Sequence, residues 1–292
     1  VITIPAYNEE KTIGRVIDGI KNIMKQKKYK YKIIVVDDGS QDKTAEIAKK
    51  HGASVYSHPR NYGLAETFRT EMKLALKSNP DIIVHIDADG QYLPEEIPKL
   101  IEPIKNKEAD LVLGSRFLGK IEEMPLIKRI GNKMLTKIVS KVSGCKISDA
   151  QTGFRAFTKE VAKLRISSSH TYTQEQIIKA AKSKFRIKEV PIYFAKRKEG
   201  SSRLINNSLE YGINALITII RIYRDYKPLS FFGLIGGLLF LAGLTLGVYF
   251  VYLHFTSGIS GHLGLLFLML AFLFTGLQII LFGFLADMWR KI

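Results

Sequence analysis

Ile82-Ile83-Val84-His85-Ile86-Asp87-Ala88-Asp89-Gly90-Gln91 is the stretch on which the reading of the fold turns. Its apolar, β-branched run reads as a buried strand, and it ends abruptly in the carboxylates Asp87 and Asp89. In open α/β sheets ligands bind beyond the carboxyl ends of strands, so chemistry is expected at this corner. There both carboxylates can converge on one cation, with the carboxamide of Gln91 beside them. Such hard oxygen donors suit Mg²⁺ or Mn²⁺ rather than zinc. The competing reading is an acidic, glycine-containing turn without function.

Upstream, strand and helix alternate. Strands are expected at Val1–Pro5, Lys32–Val36, Ala53–Ser57 and Asp110–Leu113. Helices are expected at Glu9–Lys25, Gln41–Lys50, Gly63–Leu76 and Pro94–Lys105. This rhythm predicts an α/β fold with a mostly parallel, Rossmann-like sheet and a nucleotide-sized crevice. The chain opens on Val1 within the first strand, so residues are expected to be missing before it.

The other end is apolar. Between Lys227 and Asp287 no Asp, Glu, Lys or Arg occurs, and two apolar runs, Leu229–Leu253 and Leu263–Ala286, flank a short polar link. Each run reaches about 20 residues, enough to cross a bilayer as a helix. Arg221, Arg224 and Lys227 precede the pair and Arg290 and Lys291 follow it. The positive-inside rule therefore predicts a two-span hairpin in the cell membrane, with the preceding domain and the extreme C-terminus cytoplasmic. The hairpin is expected to anchor the chain and to permit a homo-oligomer.

Two segments have amphipathic spacing. Met124–Val142 carries Ile127, Ile130, Met134, Leu135, Ile138 and Val142, with Arg129, Lys133, Lys137 and Lys141 four residues apart. It reads either as a basic helix lying in the membrane interface or as a surface helix packed on the domain. Asn206–Tyr226 repeats the pattern and leads into the first span. The expected organisation is a catalytic domain at 1–205, an interface helix at 206–228 and the hairpin at 229–292.

Net charge is +17. On an anchored protein this excess matches anionic headgroups and phosphorylated ligands. The sequence contains no basic–aromatic recognition module, so no nucleic-acid partner is expected. The single Cys145 excludes an internal disulfide and fits a reducing compartment.

Further strand ends carry chemistry. Pro5-Ala6-Tyr7-Asn8-Glu9-Glu10 closes the first strand and Val35-Val36-Asp37-Asp38-Gly39-Ser40 the second. A phosphoacceptor receiver domain also uses an acidic pair, but there the pair follows the first strand, whose place Pro5–Glu10 holds here. Together with the Arg60–Gly63 turn, Gly114–Phe117 (GSRF), Asp149–Phe157 (DAQTGFRAF) and Arg197–Arg203 (RKEGSSR), these segments resemble glycosyltransferase family 2. They look most like its polyprenyl-phosphate sugar synthases, typified by dolichyl-phosphate mannose synthase.

That resemblance implies a GT-A-type fold and an inverting transfer of one hexose to dolichyl or polyprenyl phosphate. The donor would be a nucleotide-diphosphate sugar, GDP-mannose being favoured and UDP-glucose or a UDP-N-acetylhexosamine the alternative. Pro5, Tyr7, Glu9 and Asp37 match nucleoside-holding positions, and Asp87, Asp89 and Gln91 the Mg²⁺ or Mn²⁺ site. Arg116 and Arg129 match residues that grip the lipid phosphate. By the same resemblance Arg197 and Arg203 belong to a loop that would close over the diphosphate, and Asp149 would floor the sugar pocket. Glu175 sits where relatives carry a general base, although a phosphate dianion needs none. A non-enzymatic reading, a membrane-tethered sugar-nucleotide sensor, has no need of this set.

Overall fold

The structure, a computed structural model, describes residues 1–167, 172–197, 208–257 and 262–289. The chain divides into two compact units, Val1–Ala215 and Leu216–Ile292.

The first unit is built on one seven-stranded sheet. Its strands are β1 (Ile2–Ala6), β2 (Ile33–Asp37), β3 (Ser54–Ser57), β4 (Ile82–His85), β5 (Leu111–Ile121), β6 (Arg155–Thr158) and β7 (Ile187–Phe194). They lie in the order β3-β2-β1-β4-β6-β5-β7. The first four run parallel, β6 is antiparallel to both its neighbours, and β5 and β7 are parallel. Parallel neighbours require crossovers. Helices α1 (Ile13–Gln26), α2 (Thr44–Lys50) and α3 (Leu64–Leu76) supply them for the first four strands.

The local logic is plain in α1. Ile13, Val16, Ile17, Ile20 and Met24 recur at helical spacing, and all are buried in the core with Ile2, Ile4 and Val35 of the sheet. Each such side chain contributes roughly 1.5–3 kcal/mol by leaving water. Helix α4 (Ile97–Lys105) follows a 3₁₀ turn at Pro94–Glu96 and adds Leu100, Ile101 and Ile104 to the same core.

The chain leaves β1 on one side for β2 and β3, then returns on the other side for β4. The crevice past the carboxyl ends of β1 and β4 is therefore the topological switch point, where ligands bind in such sheets.

Three local features depart from the sequence reading. Glu9–Thr12 forms a turn rather than the first turn of α1. Strand β5 continues past Leu113, so Arg116 lies within it. Strands β6 and β7 were not expected. Arg155 of β6 is fully buried because Thr173 O, Gln176 and Thr152 O accept its guanidinium protons, a satisfaction that hydropathy cannot register. Strand β7 tolerates Pro191 because it lies at the sheet edge.

Beyond the sheet lie α5 (Leu126–Ser143), α6 (Lys159–Ala162) and α7 (Thr173–Lys182). Helix α5 combines both readings of its segment. Leu135, Val139 and Val142 are buried on the domain, while Leu126, Ile127, Ile130 and Met134 are exposed.

Helix α8 (Ser208–Tyr226) crosses the division between the units. The second unit contains α9 (Pro228–Ser257) and α10 (Leu263–Trp289), which pack against each other. Both are long and apolar enough to cross a membrane, with mean hydropathies of 2.2 and 2.5.

Candidate active site

The loops after β1 and β2 are knitted together by reciprocal hydrogen bonds. Asn8 N–H donates to Ser40 Oγ at 2.8 Å, Glu9 N–H to Thr44 Oγ1 at 2.7 Å, and Gln41 N–H to Asn8 Oδ1 at 2.7 Å. Gly39 lets the Arg60–Gly63 turn close against the loop after β2. Its φ is +73°, and a Cβ there would fall 2.4 Å from the Arg60 carbonyl carbon. The Arg60–Gly63 turn is itself pinned by buried Asp38, whose carboxylate accepts from Tyr62 N–H at 2.9 Å and Gly63 N–H at 2.8 Å, and pairs with His58 Nδ1 at 2.7 Å.

These loops and the end of β4 enclose a cavity of about 370 Å³. Pro5, Tyr7, Glu9, Asp87, Asp89, Gln91 and Arg197 all line it, as does the turn at Asn61, Gly63 and Leu64. Asp38, rather than Asp37, reaches the wall. Asp37 is buried and accepts from Ser40 N–H at 3.2 Å, which shapes the turn.

The acidic corner is electrostatically loaded. Burial and the neighbouring Asp87 charge push Asp89 up to about 6. Arg197 Nη2 lies 2.9 Å from Asp89 Oδ2 and 3.3 Å from Glu9 Oε1. Gln91 is fixed by donation from its Nε2 to Ala195 O at 3.1 Å. Asp87 lies against Gly153, where a Cβ would meet its Oδ2 at 2.7 Å, so Asp149–Phe157 requires glycine at that point. Tyr92, buried and pushed up to about 12 by that burial, ties the two motifs together by accepting from Gly153 N–H at 3.1 Å. Two carboxylates at mutual cost, a neighbouring carboxamide and open cavity space form a hard-oxygen donor set that fits Mg²⁺ or Mn²⁺.

Arg116 and Asp149 are placed differently from their expected roles. Both are buried, Nε and Nη2 of Arg116 donate to the Asp149 carboxylate, and neither residue lines the cavity. Arg129 is exposed on α5 and does not line it either. Its neighbour Lys128 does. Burial and the adjacent Arg116 and Arg197 charges lower the Lys128 pKa. Glu175 is buried, bonded to Ser167 N–H and paired with Lys179 at 2.7 Å. Arg203 lies outside the described residues.

Sequence reasoning passed over Lys128, Asp38, Tyr92 and the buried pair of His85 with Glu71. Lys128 had a usable signal, a second cation beside Arg129 at the start of an amphipathic helix.

The chain belongs to glycosyl transferase family 2, whose profile matches residues 1–165. It is a glycosyltransferase, and the sensor reading falls away. Over 216 residues it is 36% identical to a UDP-N-acetylglucosamine–dolichyl-phosphate N-acetylglucosaminyltransferase of Methanococcus voltae, covering 65% of this chain and 83% of that one. Over 269 residues it is 29% identical to a dolichol-phosphate mannosyltransferase of Pyrococcus furiosus, covering 88% of this chain and 73% of that one. Among solved structures, glucosyl-3-phosphoglycerate synthase from Mycobacterium tuberculosis, crystallised with Mn²⁺, UDP and phosphoglyceric acid, superposes with a TM-score of 0.58. That match covers 75% of this chain and 77% of that one at 23% identity, and it shows the shared fold.

Proposed function

We propose that the protein transfers one hexose-type sugar, with inversion, from a nucleotide-diphosphate sugar to a polyprenyl phosphate at the cytoplasmic face of a membrane. The observation that carries this reading is the double role of α5. The helix delivers Lys128 to the cavity and leaves Leu126, Ile127, Ile130 and Met134 exposed among Arg129, Lys133 and Lys137. An acceptor with a phosphate head and an insoluble tail needs such an element, with its cation in the site and its apolar, basic face toward lipid. The dolichyl- and dolichol-phosphate substrates in the names of these two relatives support the same acceptor.

Pro5, Tyr7, Glu9 and Asn61 form the wall on which a nucleoside would lie. Asp87, Asp89 and Gln91 would hold Mg²⁺ or Mn²⁺, which when bound supplies a Lewis acid for the leaving diphosphate. Lys128 and Arg197 gather phosphate charge at the same cavity. The acceptor phosphate, with a second pKa of about 6, attacks without a general base. Glu175, committed to Lys179 and Ser167, is accordingly an orienting residue. Arg116 holds Asp149 and thereby the Asp149–Phe157 loop.

GDP-mannose is the first donor to test. The identity to the Methanococcus voltae enzyme favours a second reading, a UDP-N-acetylhexosamine. The test is a panel of GDP-mannose, UDP-glucose and UDP-N-acetylglucosamine, scored by nucleoside diphosphate release. Release from one donor, requiring both Mn²⁺ and a short polyprenyl phosphate, is the expected result. Equal release without the lipid phosphate would overturn the acceptor assignment.

A further inference from the structure

We propose that the buried Glu71–His85 pair positions Asp87 and so sets how tightly the site holds a divalent cation. The inference rests on the reading of Asp87 and Asp89 as metal ligands. His85 is the last residue of β4 and Glu71 lies on α3, and both are fully buried. The His85 imidazole stands between two carboxylates. Its Nδ1 lies 3.0 Å from Glu71 Oε2 and its Nε2 3.7 Å from Asp87 Oδ1. Thr3 Oγ1 of the adjacent strand approaches Nδ1 at 3.4 Å.

The ring has little freedom to turn. Phe68 and Tyr172 stack on each other with centroids 3.8 Å apart, and both stand edge-on to the imidazole at 5.5 and 5.1 Å. Gly153 closes against the Asp87 carboxylate. Asp87 thus lies between an imidazole braced from behind, 3.7 Å away and with its Nε2 not hydrogen-bonded, and a backbone that leaves no room for a side chain.

Stability does not account for this arrangement. A buried ion pair is commonly no more stabilising than apolar residues of similar volume, whereas removing one partner is severe. Position 85 lies in a strand of Ile and Val, where an apolar residue would fit the pattern. A histidine there, with a carboxylate behind it, does what partners behind metal ligands do in metalloproteins. It fixes the ligand's orientation before the cation arrives, and losing such a partner typically weakens metal binding about 10- to 100-fold.

The test is Mn²⁺ affinity of the full chain in detergent, read by the loss of the free-ion EPR signal, beside thermal melting. The double variant Glu71→Leu/His85→Val removes the whole pair, and Asp89→Asn removes a ligand. The expected result is a double variant that melts at or above the parent temperature yet binds Mn²⁺ about 10- to 100-fold more weakly, with Asp89→Asn binding weaker still. Parent-like Mn²⁺ affinity in the double variant, with binding lost in Asp89→Asn, would overturn the positioning role alone. Undiminished binding in Asp89→Asn would overturn the metal site and this inference with it. Should the double variant fail to fold, Glu71→Gln decides, with weakening of about tenfold supporting the proposal and unchanged affinity refuting it.

Discussion

Arg116 and Asp149 form a two-pronged ion pair inside the first unit, with Nε donating at 2.7 Å, Nη2 at 2.8 Å and the Arg116 backbone N–H at 3.1 Å. Asp149 is in turn held by its own N–H, which donates to Glu189 at 3.0 Å. The pair joins β5 to the loop that carries Gly153, and hence to the wall behind Asp87.

Arg116→Ala strands a buried carboxylate and is expected to destabilise the first unit by about 3–5 kcal/mol. Arg116→Lys should recover only part, because a point charge does not reproduce two-pronged geometry. Denaturant unfolding measures both. An Arg116→Ala protein of normal stability, impaired only in its KM for lipid phosphate, would return Arg116 to the acceptor.

The neighbours Lys128 and Arg129 separate cavity from surface. Lys128→Ala should raise the KM for polyprenyl phosphate about tenfold or more, the worth of one charge-assisted contact. Arg129→Ala should leave that KM within about twofold for a soluble short-chain acceptor, since exposed charges contribute little. Steady-state kinetics on the two variants distinguish the positions.

Much of this site was legible because strand ends announce themselves. Asp87 and Asp89 follow an unbroken apolar run, and Pro5–Glu9 follows another, so the corner and its cavity could be read directly. The two apolar helices were equally plain, since no Asp, Glu, Lys or Arg falls between Lys227 and Asp287. What escaped depends on contacts between distant segments. Glu71 and His85 look like an ordinary helical glutamate and a strand histidine until α3 crosses β4. Arg116 reads as a lone cation, and its pairing with Asp149 through Nε and Nη2 appears only when the Asp149–Phe157 segment meets β5. Lys128 and Arg129 are adjacent cations, and only the rotation of α5 decides which one enters the cavity.

Metal binding should depend on protons. Asp89 carries a pKa raised to about 6 by burial and by Asp87, and it must be ionised to bind a cation. Apparent Mn²⁺ affinity should therefore fall as pH drops through about 6 and level off roughly one unit above it. For the metal-free protein the sign is opposite. A raised carboxyl pKa contributes stability below the ordinary carboxylate range, and that contribution is lost as pH rises through about 6. At one fixed subsaturating Mn²⁺ concentration, thermal stabilisation should accordingly be larger at about pH 7.5 than at about pH 5.5. A shift independent of pH would contradict the role given to Asp89.

The exposed face of α5 predicts lipid binding. Changing Leu126, Ile127 and Ile130 together to Ser should weaken association of a protein truncated before Leu229 with anionic vesicles. The residual association should fall as salt rises, because basic interfacial helices bind partly by screened attraction. Cosedimentation measures this, and vesicle binding untouched by the triple change would remove α5 from the interface.

The most direct test of the account is transfer of radiolabelled sugar from the donor that the panel selects into organic-extractable lipid, with polyprenyl phosphate and Mn²⁺ present. Label is expected in the lipid phase only with both, to be abolished by EDTA and by Asp89→Ala, and to be retained in Arg129→Ala with a short-chain acceptor. Label that stays in the aqueous phase, or lipid-linked label that persists in Asp89→Ala under EDTA, would contradict metal-assisted transfer to a lipid phosphate at this site.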